Sequence, residues 1–133
     1  MQKINRIMRL CFVSQVFVLM ILAANVQAEG LQAKYLENSG GRSVLEIRIE
    51  DPPPSSVIVK QHIPSGKSIE STIPSYTKYN RKKNVLTWLL KRPVPGVQKI
   101  ITHYTSSLSG AGASAVIRCK SPSDGSLMTI RVE

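Results

Sequence analysis

Leu45-Glu46-Ile47-Arg48-Ile49-Glu50 alternates apolar and charged side chains, and Asp51-Pro52-Pro53-Pro54-Ser55-Ser56 cuts the alternation before Val57-Ile58-Val59 begins a second apolar run. Period-two alternation puts successive side chains on opposite faces of an extended chain, so the first stretch reads as a half-buried strand. Three prolines in a row have no N–H to give a ladder, and they end it. The run from Ser56 to Ile63 is rich in β-branched residues and reads as a second strand.

The same grammar extends outward. Pro64-Ser65-Gly66-Lys67 is a turn, Ile69 to Ile73 a short edge strand, and Pro74 closes it. Tyr76 to Asn84 reads as a polar, strongly basic loop, and Val85 to Leu90 is an apolar strand holding the single tryptophan, Trp88. After the turn Pro93-Val94-Pro95-Gly96 comes a long strand, Val97 to Ser107. Ile100, Thr102 and Tyr104 share one of its faces, and Ile101, His103 and Thr105 the other. A small-residue loop, Ser109 to Ser114, leads to a closing hairpin of Ala115–Cys119 and Leu127–Val132 joined through Ser121–Ser126. Past residue 28, Leu31 to Leu36 is a weak helical candidate. Short strands with turn signals every ~8–12 residues imply an all-β fold, a single Ig-like antiparallel β-sandwich of about seven strands.

The chain has 133 residues, with 18 Lys+Arg against 8 Asp+Glu and a formal charge of +10. Its start is of another kind. Lys3, Arg6 and Arg9 precede an apolar run from Leu10 to Ala24, and Val26-Gln27-Ala28 offers a small-residue cleavage site. That is the pattern of a secretory signal peptide over residues 1–28, cleaved after Ala28. The run falls short of the ~20 apolar residues of a spanning helix. No cysteine follows it to carry a lipid. The expected domain is Glu29–Glu133, whose 15 cations against 8 acids leave +7. A periplasmic or secreted address follows from this reading, and a large cofactor-binding enzyme is excluded by size.

Cys11 belongs to the leader, so Cys119 is left alone and no intramolecular disulfide can form. It reads as a small buried hydrophobe, with an intermolecular disulfide as the alternative. His62 and His103 lie on separate strands without zinc-ligand spacing, so no metal site is expected. No Gly-x-Ser-x-Gly elbow and no obvious carboxylate pair are present, which argues against an enzyme, and nothing calls for a cofactor.

From Val57 to Leu90 the order of motifs resembles a known family. Val57-Ile58-Val59-Lys60 precedes Ile63-Pro64-Ser65-Gly66, Asn84-Val85-Leu86-Thr87-Trp88 follows, and Pro95-Gly96 leads into a long alternating strand. This resembles the Ig-like "conserved repeat domain" of bacterial and archaeal cell-surface proteins, a domain of unknown function. The resemblance spans roughly 43–107 and implies a sandwich fold with no catalytic residues. Where the family usually carries Asp-x-Leu before its turn, this chain has Gln61-His62-Ile63. The family is usually repeated in long proteins, whereas one copy and an extra hairpin stand here.

Two readings of function remain open. The first is a non-enzymatic module acting by protein–protein contact in the cell envelope, with a partner of unknown identity and strand addition as the physical means. The second rests on the basic segment. Lys78, Arg81, Lys82 and Lys83 fall within six positions flanked by Tyr76 and Tyr79, and Lys91 and Arg92 follow. Such a cluster suits anionic lipid, lipopolysaccharide or a polyanionic wall polymer. Export makes nucleic acid a poor partner. The bland alternative is a solvated loop whose lysines keep an edge strand from aggregating. The oligomeric state is not legible in the sequence.

Overall fold

The structure, a computed structural model, describes residues 26–28, 30–108 and 112–133, with side chains 26–28, 107 and 108 left aside. Among the described residues there is no helix and there are nine strands. They are β1 (Val26–Ala28), β2 (Leu31–Ile49), β3 (Ser56–His62), β4 (Ile69–Ile73), β5 (Lys78–Asn80), β6 (Val85–Lys91), β7 (Gly96–Leu108), β8 (Ser114–Lys120) and β9 (Leu127–Val132). They form two antiparallel sheets, β1-β2-β7-β4 and β5-β6-β3-β8-β9, packed as a sandwich. The expected architecture is present. The strand count exceeds seven because β1 and β5 are three-residue strands too short to show alternation. The leader expected over residues 1–28 lies outside the described residues except for Val26–Ala28, whose backbone pairs with Ala33–Leu31 of β2.

β2 is not one straight strand. Nineteen extended residues would span roughly 60 Å at 3.2–3.4 Å each. Yet the Glu50 N–H donates to the Gly30 carbonyl at 2.9 Å, and Gln32 Nε2 donates to Glu50 Oε1 at 3.0 Å. The run therefore folds back on itself near Gly40, which adopts φ +65°. Its returning half, from Arg42 to Ile49, pairs with β7. The helical candidate at Leu31–Leu36 is thus overturned. Leu31 and Ala33 are buried and Tyr35 packs against the core, a period of two rather than 3.6.

The core lies between the sheets. Leu45, Ile47, Ile49 and Ile100 meet Val57, Val59, Leu86, Trp88 and Ile117, all buried. Each such side chain contributes about 1.5–3 kcal/mol on burial, and because conformational entropy opposes folding by a similar total, a disulfide-free domain needs the whole core. Trp88 has 1% of its surface exposed, and its Nε1 donates to the Pro74 carbonyl at 3.0 Å. That bond ties the crossover between β4 and β5 to the second sheet.

Inside the same core is a polar bridge. Gln61 of β3 is fully buried; its Nε2 donates to Thr102 Oγ1 and to the Tyr104 hydroxyl, each at 3.1 Å. Tyr35 OH donates to Gln61 Oε1 at 3.1 Å, and Ser43 Oγ shares a 2.9 Å bond with Tyr104 OH. Among the described residues no buried side-chain polar atom lacks a partner. The bridge joins β3 to β2 and β7 across the sandwich, fixing how one sheet sits on the other. Burial pushes the Tyr35 and Tyr104 phenols above their ordinary range; neighbouring Tyr104 adds to the effect on Tyr35, and the Ser43 bond partly offsets it on Tyr104.

Candidate functional site

Alternation decides which side chains leave the core. On β3, Val57, Val59 and Gln61 point inward, so Lys60 and His62 point out. On β8, Ala115, Ile117 and Cys119 are buried, and Arg118 and Lys120 are exposed. On β9, Ile130 and Val132 are buried and Arg131 is exposed. Strand order then lines these residues up. Lys78 pairs with Thr87, Thr87 with Lys60, Lys60 with Val116, and Val116 with Arg131. The result is one row crossing all five strands of the second sheet, with cations on β5, β3 and β9.

This row runs through a shallow depression of about 490 Å³. Lys60, His62, Lys78, Lys83, Arg118 and Arg131 line it, over neutral Asn80, Val85, Thr87 and Val116. The five strands of this sheet carry six Lys or Arg residues (60, 78, 91, 118, 120 and 131) and no acid. Glu37, Glu46 and Glu70, the strand-borne acids of the described residues, all lie on the other sheet. There Arg42 and Arg48 pair with Glu37 at 3.2 Å and Glu46 at 3.7 Å. The strand-borne acids are thus confined to one sheet while cations stand on both, and Glu133, just past β9, borders the basic face beside His62 and Arg131.

The basic segment read from the sequence is divided by the fold. Lys78 and Lys83 line the depression. Arg81, Lys82 and Lys83 occupy the four-residue tip of the β5–β6 hairpin, which Asn84 closes at φ +53° and Asn80 caps by accepting the Lys83 N–H at 3.2 Å. Arg81 lies over the Tyr79 ring, 5.6 Å from its centroid, in cation–π geometry. Tyr79 itself turns inward against the core, and Tyr76 meets it edge-on at 5.9 Å while staying exposed. Lys91 and Arg92 stand at the far end of β6, where the Arg92 N–H is taken by the Ser55 carbonyl at 2.9 Å. Lys60, His62, Arg118 and Arg131 were absent from the sequence-based candidates. Their signal was their place opposite buried neighbours, but nothing in the sequence says that β3 lies between β6 and β8.

The two histidines lie on different sheets, both among outward-facing positions. Among the described residues no three His, Cys, Asp or Glu side chains gather where they could hold a metal ion. Cys119 is buried opposite Val57, with its thiol held protonated by burial.

No family model and no curated protein matches the chain. A solved structure does. It is ChBD2 from Thermococcus kodakarensis KOD1, 14% identical over 77% of this chain and 95% of that one, with a TM-score of 0.45.

Proposed function

We propose that this protein is an exported, non-catalytic module that binds anionic material of the cell envelope through the outer face of its five-stranded sheet. The observation that carries this reading is the placement of Lys60 and Arg118. Both stand on inner strands, β3 and β8, which have a neighbour on either side. Edge protection accounts for a lysine on β5, but an inner strand has no free edge to protect. At a spacing of about 10 Å in water, like charges repel by about 0.4 kcal/mol per pair. No acid on these strands offsets that cost, and an anionic ligand would. Protein–protein contact by strand addition would use an end strand, of which β4 and β9 are the longest. β4 is five residues long and its pairing with β7 is bulged, and β9 is six residues long with β1 packed near it, which limits how much ladder a partner could add.

Binding of the purified chain to phosphatidylglycerol vesicles, lipopolysaccharide and polygalacturonate tests the proposal. At least one of these should bind, weaken with salt and be lost in a Lys60→Glu/Arg131→Glu variant, while Lys99→Glu on the other sheet leaves binding intact. Binding to none of the three, or loss on Lys99→Glu alone, overturns it. Export is checked separately: the chain recovered outside the cytoplasm should begin at Glu29.

A further inference from the structure

Granting the anion-binding reading, we infer that the ligand is a linear acidic polysaccharide lying across the strands, along the row Lys78–Lys60–Arg131. Three features of the face select this occupant over a bilayer or a nucleic acid.

The first is spacing. Neighbouring strands lie about 4.7–4.9 Å apart, so cations on alternate strands repeat at roughly 10 Å. An extended sugar residue is about as long as one strand spacing. A polymer laid across the sheet therefore sets one sugar over each strand and presents its acids where Lys78, Lys60 and Arg131 reach them. Thr87 and Val116 fill the intervening places with short side chains, which leave room for the sugar rings.

The second is shape. The cations border a depression. A chain of single-sugar width can enter it, but a flat headgroup layer would have to bridge it. The apolar residues beside it, Ile58 and Leu89, are only 36% and 38% exposed; Leu127, 68% exposed, stands at the other end of β9 from Arg131, and one leucine is a small wedge for lipid.

The third is the scarcity of rings. No Phe, Tyr or Trp points outward from the strands of this sheet, since Trp88 and Tyr79 turn inward; His62 is the one ring on the strand face, and exposed Tyr76 lies off the strands before β5. Single-stranded nucleic acid is held by stacking successive bases on exposed aromatic faces, and one histidine is not such a platform. Neutral polysaccharides also depend on ring stacking, so charge is the handle this face provides.

Calorimetric titration of the protein with galacturonate oligomers of two to eight residues tests this, with phosphatidylglycerol vesicles and a mixed-sequence DNA 12-mer as parallel arms. Affinity should rise with length until the oligomer spans the five-stranded row, at about five residues, and then level off. Lys60→Gln should weaken the five-residue oligomer about two- to fivefold and Lys78→Gln or Arg131→Gln by a similar factor, while Lys99→Gln does nothing. Vesicles or DNA bound more tightly than the oligomers, or affinity independent of length, overturns the polysaccharide and leaves anion binding standing. No binding in any arm overturns both.

Discussion

Lys60 and Arg131 are 71 residues apart in the chain and two strands apart in the sheet, both paired with Val116 in one cross-strand row. Two cations held side by side with no acid between them make a surface under mild electrostatic stress. Function and stability therefore pull in opposite directions here. Lys60→Gln should raise the unfolding free energy slightly, by about 0.5–0.8 kcal/mol at low salt, since Lys60 faces both Lys78 and Arg131 across one intervening strand, while lowering anion binding. Urea denaturation at 10 mM and 300 mM salt checks this. The stabilisation should shrink at the higher salt as the charges are screened.

Gln61 is the joint between the sheets. Gln61→Ala removes the acceptor of Tyr35 OH and the donor to Thr102 and Tyr104 together. It leaves buried hydroxyls to find partners among themselves. The expected loss is about 1–3 kcal/mol, measured by chemical denaturation with an unchanged m-value. Anion binding at 25 °C should survive, because Gln61 faces away from the basic face.

Alkaline pH should unfold the domain. Tyr35 and Tyr104 have phenols raised above 10 by burial, whereas in the unfolded chain they ionise near 10. Above that pH the unfolded state binds fewer protons than the native state, so stability falls as pH rises. Below about pH 9 these two groups contribute no pH dependence. Thermal melts between pH 8 and pH 12 should show a flat region followed by a decline, and Tyr35→Phe should shrink that decline.

Cys119 should be silent in the native protein. It is buried on the inner face of β8 and its thiol is held protonated by burial. In the chain beginning at Glu29, where Cys119 is the one cysteine, a thiol-specific chromogenic reagent should react slowly without denaturant and stoichiometrically in 6 M guanidinium. Non-reducing electrophoresis of the purified native protein should show a monomer. A dimer sensitive to reductant would mean that β8 opens far more readily than its pairing with β3 and β9 implies.

Much of the fold was legible because the strands obey alternation. Ile100, Thr102 and Tyr104 share one face of β7 as expected, the structure makes that face the buried one, and Trp88 sits in the core. β5 was not legible. Lys78-Tyr79-Asn80 has one apolar residue and becomes a strand by pairing with Thr87, Leu86 and Val85. Leu31–Leu36 misled because apolar side chains at 31, 33, 35 and 36 satisfy a helical face and a strand face alike over so short a span. The fold-back at Gly40, which places this segment beside Arg42–Ile49, chooses the strand. Of the candidate site, Lys78 and Lys83 were found from their local clustering. Their partners Lys60, Arg118 and Arg131 were invisible as a group, each being an isolated cation on its own strand.

The sequence by itself determined which side of the strand Leu45–Ile49 is wet, since apolar and polar residues alternate there with the pleat, and it determined that the chain is strongly basic. The tertiary structure alone decided that the cations of β3, β5, β8 and β9 share one face while the strand-borne acids occupy the other sheet. The reason lies in the backbone. Ladder hydrogen bonds join N–H to C=O whatever the side chains are, so a strand's sequence records its own two faces but not its neighbour. That choice is made by packing the whole core.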